Sequence, residues 1–438
     1  MNRYNYLKYF GLSFCLLFIL LLCVNTLQAI VLPKIIDKTN CSRYEDILIP
    51  ALFRAVKKGD FVITPGKVNF NYKFQDSFIS ASNKNAGKFD VNQEGDLIDK
   101  KTKFWPKNNV YGCPFPDIDQ KDPMAGVKIM WNFYFQRFRF MALIESGQLI
   151  WITREGEERY VLATTYLLYT MGRPPGQEIN NPDNALMYEF QRMLEPMSMK
   201  GTNTLAYTYI GSKPDTSYAY VPAIRRIRQT GSTTRSDPFM GSDSWLDNTY
   251  LWNGRNDSMI WNCVGEKTIL VGFTSPKMIP VEDMPDGSIT TKYPSNKRLT
   301  LNYETPGWTG VSWAPAPNTI TYAPRKVWVI EQRPKDPYYS WGLHTLYVDQ
   351  DTYTIWYKEV YERSGNFRTW CASFAHYSES PGGKNNTGQW DALLFIDEKT
   401  HHATAVCSYP RSDLRLYMPT TKMDVVFFSV SNFLKLSK

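Results

Sequence analysis

Histidine and cysteine are scarce in this sequence, with 4 His and 7 Cys among 438 residues. Two of the cysteines lie within the first 29 residues, so five remain in the rest of the chain. An odd number of widely spaced cysteines excludes the dense disulfide framework of a small secreted domain. The spacing of His376, His401 and His402 matches no zinc motif. We therefore expect no metal site and no cofactor.

Common catalytic signatures are absent as well. The chain contains no G-x-S-x-G, no H-E-x-x-H, no Walker loop and no G-x-G-x-x-G, which argues against the usual hydrolases, metalloproteases and nucleotide-binding enzymes. It also lacks a stripe of lysine and arginine, so we expect no nucleic-acid partner. We assign no catalytic residue and predict a protein without covalent catalysis.

After the first 30 residues, no apolar run is long enough to span a membrane as a helix. The amino terminus has the layout of a signal peptide, because Arg3 and Lys8 precede the apolar run Gly11 to Val24 and Leu27-Gln28-Ala29 offers a cleavage site. We expect cleavage near Ala29 and a periplasmic product, with association to the outer membrane left open. The alternatives are an uncleaved anchor and lipidation of Cys23. Cleavage lowers the formal net charge from +8 to about +6, which is compatible with peripheral contact with anionic lipids.

Aromatic residues make up 15% of the chain, with 28 Tyr and 13 Trp. These residues favour strands, and Gly and Pro recur at the short intervals that are typical of turns between strands. We predict a mainly β protein with a few helices. Its parts would be a signal peptide at 1–29, an N-terminal helix with an irregular segment at 30–110, and one large β domain at 111–438.

The N-terminal helix is predicted from its capping pattern. Ser42 and Glu45 have the spacing of a capping box, apolar residues from Ile47 to Val56 recur with helical period, and Gly59 is placed to end the helix.

A second helix is predicted to begin at Asp122 and Pro123 and to continue to about Gln136. The nearby Asp117 and Asp119 suggest a calcium loop, but the central Gly and final Glu of an EF-hand are missing. We interpret these aspartates as turn and capping residues.

The pattern of the remaining sequence predicts a series of antiparallel strands. Ser146-Gly147 and Glu155-Gly156 have the composition of hairpin turns. The predicted strands are Phe138 to Ile144, Gln148 to Arg154, Arg159 to Tyr169, Leu186 to Leu194, Thr204 to Ile210, Tyr218 to Arg228, Arg325 to Glu331, Leu343 to Val348, Tyr353 to Tyr361, Phe367 to His376, Leu393 to Ile396 and Thr404 to Tyr409. Cys371 and Cys407 lie on expected neighbouring strands and are a candidate disulfide pair.

The segment Ser217 to Gly254 joins a tyrosine-rich strand to an arginine cluster and an aspartate-containing turn. If the strand kept its register, Arg226 and Arg228 would share one face and Arg225 the other. One interpretation is a guanidinium fork for the headgroup of a ligand, with Asp243 nearby. The other, which we favour, is that these arginines pair with aspartates at 237, 243 or 247 and hold the long loop in place.

Four runs of sequence resemble a Gram-negative envelope family catalogued as domain of unknown function 1329, often described as outer-membrane lipoprotein-sorting-like. The runs are PFPDIDQKDPMAGVKIMWN (Pro114 to Asn132), YVPAIRRIRQ (Tyr220 to Gln229), GSDSWLDNTYLWNG (Gly241 to Gly254) and the long stretch Arg325 to Asn366. The resemblance covers roughly Tyr111 to Tyr409. It implies a fold similar to the periplasmic lipoprotein carriers, which is a strongly curved antiparallel sheet, or half-barrel, with helices covering the concave side.

Such a fold forms a groove that can hold an acyl chain, because every second residue of each strand faces inward. Candidate groove-lining residues are Tyr218, Tyr220, Trp328, Tyr347 and Trp356. We predict a periplasmic carrier for a lipid, an acyl chain or a lipidated protein, with an envelope transporter as a candidate partner.

Two alternatives remain open. One is an envelope enzyme that acts on a lipid or polysaccharide through Asp243, Asp247 and nearby arginines, which needs two carboxylates in an open cleft. The other is a structural partner of a transport complex, which needs an exposed apolar patch instead of a cavity.

Overall fold

The computed structural model describes residues 32–211, 213–230, 235–285, 288–291, 299–380, 386–408, 417–418 and 423–437. The expected signal peptide, its cleavage site and Cys23 lie outside these residues. Residues Ile35–Lys438 form one compact unit. Within the described ranges, none of the helices combines the length and the apolar character needed to cross a membrane.

Strands dominate the described part of the chain. They are β1 (Phe89–Val91), β2 (Leu97–Asp99), β3 (Ala142–Thr153), β4 (Gly156–Tyr169), β5 (Ala185–Glu195), β6 (Asn203–Tyr209), β7 (Thr216–Val221), β8 (Arg226–Thr230), β9 (Met259–Phe273), β10 (Ile279–Asp283), β11 (Ile289–Thr291), β12 (Thr321–Pro334), β13 (Leu343–Asp349), β14 (Ile355–Tyr361), β15 (Phe367–Glu379), β16 (Asn386–Asp397), β17 (His402–Ser408) and β18 (Tyr417–Met418). The α-helices in the same residues are α1 (Pro50–Lys58), α2 (Asp76–Asn85), α3 (Ala125–Phe138) and α4 (Val430–Ser437).

One large sheet contains most of these strands. Its long antiparallel ladders follow the order β9-β12-β13-β14-β15-β16-β17-β3-β4-β5-β6-β7-β8. Two meanders, β12 to β17 and β3 to β8, make up most of the sheet and join where β17 pairs with β3, and β9, β10, β11 and β18 complete it. The end of β9 also meets β15, at Gly272 and Phe374, so the first meander curls back on itself. The prediction of a mainly β protein with a strongly curved antiparallel sheet is confirmed.

The first meander carries a dense part of the core. Six consecutive residues of β14 and ten consecutive residues of β15 are buried, so both faces of these strands are covered by other parts of the chain. Trp356 is fully buried there, and its indole N–H donates to Asp349 Oδ2 at 2.8 Å. This half of the molecule is a packed scaffold.

Helix α1 ends where the sequence predicts and begins later. Gly59 ends it in the left-handed conformation, with φ of 84°. The predicted capping box at Ser42 and Glu45 is wrong, because these residues belong to two short 3-10 turns at Cys41–Arg43 and Glu45–Ile47. Pro50 starts the helix instead, since proline lacks an N–H and its fixed φ suits the first helical turn.

Helix α3 is buried on nearly all sides, with 13 of its 14 residues shielded from solvent. It packs against inward-facing residues from both meanders, and the rings of Phe138 and Tyr169 lie 5.2 Å apart. Gly126 allows a close approach to β9, because a Cβ at this position would come within 2.9 Å of the Trp261 carbonyl carbon. A helix that is covered all round belongs to the core and does not present one amphipathic face to water.

The predicted turn at Ser146-Gly147 is wrong. Both residues continue β3, where they pair with Thr164 and Ala163 of β4, and Gly147 also pairs with Ser408 of β17. The Ser146 and Thr164 hydroxyls are 2.7 Å apart and share a hydrogen bond that stabilises the ladder. The predicted turn at Glu155-Gly156 is shifted by one residue, because Arg154 and Glu155 form the turn and Gly156 is the first residue of β4.

The predicted strand from Tyr218 to Arg228 is a hairpin in the structure. Strand β7 ends at Val221, a 3-10 turn spans Pro222–Ile224, and Arg225 adopts the left-handed conformation with φ of 48° before β8 begins. Proline has no N–H to donate to a ladder, so it ends the strand and begins the turn.

The last described segment, 423–437, covers the outer face of β4 to β7. Its Phe428 and Phe433 are buried among Tyr188, Phe190 and other residues of these strands. The Phe433 ring meets the Phe190 ring edge to face, with centroids 5.6 Å apart. This packing leaves the opposite, inner face of the same strands to form the wall of a cavity.

Candidate functional site

A cavity of about 320 Å³ lies inside the second meander. Its wall is the inner face of β3 to β7, together with residues of β16 and β17, and its roof is the segment 235–253. Strand β5 shows the alternation that builds the wall, because Met187, Glu189, Gln191 and Met193 all line the cavity. The residues between them, such as Tyr188 and Phe190, face outward into the C-terminal cluster.

Small side chains on the inner face create the space. Gly147, Ala163, Ala206, Ser217 and Ala219 all lie in the cavity wall. Larger residues at these positions would fill the volume with protein, since interiors otherwise pack to high density. The lining is mostly apolar, and Leu393, Phe395 and Val406 close its far side.

The roof is fixed at its two ends by one arginine. The Arg235 Nε donates to Asp247 Oδ1, and Nη1 lies 3.3 Å from Asp215 Oδ2. Its remaining nitrogen, Nη2, donates to the Asn253 carbonyl at 2.7 Å. Burial alone lowers the pKa of Arg235, but the two carboxylates raise it, so the guanidinium stays charged.

The middle of the roof rests on a buried lysine. Lys358 Nζ donates to Asn248 Oδ1 at 2.9 Å and to the Leu251 carbonyl at 3.1 Å. Burial lowers the pKa of this amine to about 8. Sequence patterns did not single out this residue, because Lys358 lies in a strand that reads as an ordinary core strand.

The roof is also bound to β17 through Asp243. The carboxylate of Asp243 lies 2.6 Å from His402 Nδ1 and accepts from the Thr404 hydroxyl at 2.7 Å. The hydrogen bond to Asp243 raises the pKa of His402, and Glu158, 3.5 Å from Nε2, adds to the effect. Asp243 therefore holds the roof in place and is not among the residues that line the cavity.

Two carboxylates stand on the inner wall. Glu145 Oε1 accepts from the Tyr250 hydroxyl at 2.8 Å, and burial raises the pKa of Glu145 to about 7. Burial also raises the pKa of Glu189. Both side chains are half-buried and both line the cavity.

Beneath the roof, the guanidinium of Arg137 lies 3.8 Å from the centroid of the Tyr250 ring. Such a cation–π contact is favourable in a desolvated site. Tyr250 and Trp390 line the main cavity and also a smaller one of about 60 Å³ that Arg137 borders. These two rings, 5.4 Å apart and edge to face, separate the two spaces.

The arginines predicted as headgroup ligands lie elsewhere. Arg225, Arg226 and Arg228 are exposed on the β7–β8 hairpin, and within the described residues none of them forms an ion pair. The favoured interpretation, that these three arginines pair with the aspartates of the loop, is wrong. The residue that pairs with Asp247 is Arg235.

Of the predicted groove residues, Tyr218 lies among the cavity-lining residues, and the other four do not. Tyr220 is buried under the C-terminal segment. Tyr347 and Trp356 are buried in the first meander, where their polar atoms bond to Glu359 and Asp349. Trp328 is half-buried against the same core. Trp328, Tyr347 and Trp356 thus lie in the first meander away from the cavity, whereas Tyr220 packs on the outer face of the second.

The predicted disulfide between Cys371 and Cys407 is wrong, and both residues are thiols. Strand β16 lies between β15 and β17, which carry them. Two strand spacings place the backbones about 10 Å apart, beyond the reach of a disulfide. Asn248 Nδ2 lies 3.3 Å from the Cys371 sulfur. Within the described part of the chain no three His, Cys, Asp or Glu side chains converge as metal ligands.

The fold and the cavity define a class of protein, a β-sheet protein with a mostly apolar cavity on the inner face of its sheet, under a loop held by ion pairs. The family model described as protein of unknown function, DUF1329, matches residues 35–429, so the chain belongs to this family. The resemblance seen in the sequence is confirmed, and the match starts well before Tyr111, where that resemblance began.

Three solved structures are similar to this chain. A Vibrio parahaemolyticus domain named for outer membrane lipoprotein sorting is 15% identical, with a TM-score of 0.47, and the match covers 72% of this chain and 100% of that one. A DUF1329 family protein from Desulfovibrio piger is 13% identical, with a TM-score of 0.44 and coverage of 69% and 97%. A LolA superfamily protein from Nitrosomonas europaea is 10% identical, with a TM-score of 0.36 and coverage of 68% and 96%. No curated protein sequence matches the chain.

Proposed function

We propose that this protein is a non-enzymatic binding or carrier protein, which holds a hydrophobic ligand in its internal cavity within the Gram-negative envelope. The observation that carries the proposal is the mostly apolar cavity of about 320 Å³. Its volume is of the size of small-molecule sites, which run from about 300 to 1,000 Å³. A lipid or an acyl chain, free or attached to a protein, is the class of ligand that such a lining suits. The signal-like amino terminus supports the location.

The contacts of Asp243 and Asp247, the two residues that suggested an enzyme, argue against this alternative. Asp243 bonds to His402 and Thr404, and Asp247 bonds to Arg235 and, at 3.2 Å, to the Tyr339 hydroxyl. Both carboxylates therefore serve to hold the roof. A structural partner of a transport complex would need a broad exposed apolar patch, whereas the apolar residues of the cavity line a recess under the roof.

The β7–β8 hairpin is the part of the molecule that we propose to contact a membrane. Arg225, Arg226 and Arg228 are exposed there, and Ile224 beside them is 43% exposed. Cations around an exposed apolar side chain suit the anionic headgroups of a bilayer. Strand β7 also contributes Ser217 and Tyr218 to the cavity wall, so a membrane bound at this hairpin would lie close to the ligand.

Binding can be tested by native mass spectrometry and lipid extraction after gentle purification. We expect a hydrophobic molecule to accompany the wild-type protein and to be lost from Ala206→Trp, because Ala206 lies in the cavity wall. Ala86→Trp is the matched control, since Ala86 is exposed and outside the lining. If the wild-type protein carries no hydrophobe and also fails to bind an added apolar fluorophore, the proposal is wrong.

A further inference from the structure

The cavity has two chemically different ends. Moving along the strands from Glu145 to Leu149 on β3 also moves from Thr165 to Val161 on β4, because these strands are antiparallel and in register. On β5 the same direction runs from Glu189 to Met193. These steps of four residues correspond to about 13 Å of strand. One end is thus polar, and the other is formed by an apolar cluster of Val161, Met193, Leu149 and Phe239.

At the polar end of the cavity, carboxylates outnumber positively charged groups. The lining contains three carboxylates, Glu145, Glu189 and Asp215, and one guanidinium, Arg235. Each nitrogen of that guanidinium already donates, to Asp247, to Asp215 and to the Asn253 carbonyl. An anionic headgroup would have to displace one of these two carboxylates. Such a displacement would leave a charge buried without its partner, which is costly.

Glu145 and Glu189 keep acceptor capacity for a ligand. A carboxylate offers about four acceptor sites, and the hydrogen bond from Tyr250 uses one of those on Glu145. The Asn253 side chain donates one hydrogen bond to Glu189, and the nearby Arg137 guanidinium partly offsets the effect of burial on the pKa of both carboxyls. Both carboxylates border the enclosed space, so a donor at the end of a ligand can reach them from inside the cavity.

We propose that the ligand is an elongated hydrocarbon whose one end donates hydrogen bonds and is neutral or cationic, such as a long-chain alcohol or amine. This inference rests on the proposed binding function. The donating end binds at Glu145 and Glu189, and the chain lies along the strands toward Leu149 and Met193. The same charge arrangement disfavours a ligand that ends in a free carboxylate or phosphate.

The test measures how well dodecylamine, dodecan-1-ol and dodecanoate displace a bound apolar fluorophore, N-phenyl-1-naphthylamine, from the wild-type protein. At about pH 8 we expect the amine and the alcohol to displace it at concentrations about tenfold below that of dodecanoate, the effect of one hydrogen bond to a charged group. The Glu145→Gln/Glu189→Gln variant should lose this preference for the amine. Glu155→Gln is the matched control, because Glu155 is exposed and outside the lining.

The outcomes separate the two proposals. If the fluorophore binds and dodecanoate displaces it as well as the amine does, the assignment of ligand class is wrong and the binding function stands. If neither the fluorophore nor any of the three compounds binds, both proposals are wrong. The ranking in the wild-type protein needs no variant, so a folding defect in the double variant would not obscure it.

Discussion

The guanidinium of Arg235 binds the carboxylate of Asp247, and this single pair closes the intervening residues into a loop over the cavity. The Asp247 side chain is 3% exposed, so the pair lies in protein and not at the surface. Charged groups taken out of water depend on each other, because either one left alone would keep its full desolvation cost. Loss of either partner is therefore expected to loosen the roof over the cavity.

Asp247→Ala should destabilise the protein by about 3–5 kcal/mol, the usual result of breaking a buried pair from one side. Denaturant unfolding measures this free energy. Asp237→Ala is the control, because Asp237 lies in the same loop and is exposed, and such substitutions usually change stability by no more than about 0.5 kcal/mol. Equal losses in the two variants would show that the pair does not hold the roof.

Glu145→Gln should stabilise the protein at alkaline pH. Burial raises the pKa of Glu145 from 4.5 to about 7, so this carboxyl reduces the free energy of unfolding as pH rises across that interval. Glutamine removes the ionisation and can still accept from Tyr250. We expect the variant to unfold on the order of 2 °C higher than the wild type at about pH 8 and at the same temperature at about pH 4.

Thermal unfolding scans at the two pH values check this expectation. Glu155→Gln, on the exposed β3–β4 turn, should show no comparable dependence on pH. A Glu145→Gln variant that is less stable than the wild type at both pH values would contradict the argument.

The contact of His402 with Asp243 should stabilise the roof more in acid than in base. The Asp243 carboxylate raises the pKa of His402 above 6.5, so the contribution is fully present below about pH 6.5 and is lost as pH rises through the folded-state pKa. His402→Gln should therefore destabilise the protein at about pH 5.5 and have less effect at about pH 8.5. Hydrogen exchange of the roof amides measures the local effect, and a pH-independent difference would count against it.

Replacing Arg225, Arg226 and Arg228 together by glutamine should weaken binding to anionic vesicles by about a hundredfold, since each cation at a membrane surface contributes about 1 kcal/mol. Co-sedimentation with phosphatidylglycerol vesicles measures this, and added salt should reduce wild-type binding in the same way. The control replaces the exposed lysines 57, 84 and 101 by glutamine, which removes the same charge elsewhere. Equal losses would indicate a general effect of charge and no role for the hairpin.

The sequence predicted the strands of the first meander well, because turn residues such as Ser364, Gly365 and Asn366 bound each strand closely. The prediction of a turn at Ser146-Gly147 was wrong. Gly147 is typical of a turn, and yet it lies inside β3, where it pairs with both β4 and β17. That error split β3 and hid the fact that Glu145 and Leu149 face the same side. With β3 intact, a glutamate at an inward position would have been a visible signal.

The site itself depends on contacts between residues far apart in sequence. Arg235 lies only a few residues beyond the arginine cluster, but nothing local distinguishes it from Arg228, since its partners Asp215 and Asp247 are brought together by the folded loop. The predicted aromatic lining failed for a related reason. A strand pattern shows which residues share a face, and it does not show whether that face meets open space or another layer of protein.

The packing of residues 423–437 on the outer face of β4 to β7 has a consequence for folding during synthesis. The cavity wall is supported both by β17, which pairs with β3, and by Phe428 and Phe433, which pack on its outer face. During synthesis from the amino end, β3 to β8 must therefore remain without these partners until residues 402–437 have appeared. Such long-range pairing makes folding slow and exposes apolar strands meanwhile. The cavity wall is thus completed only after residues 402–437 have been synthesised.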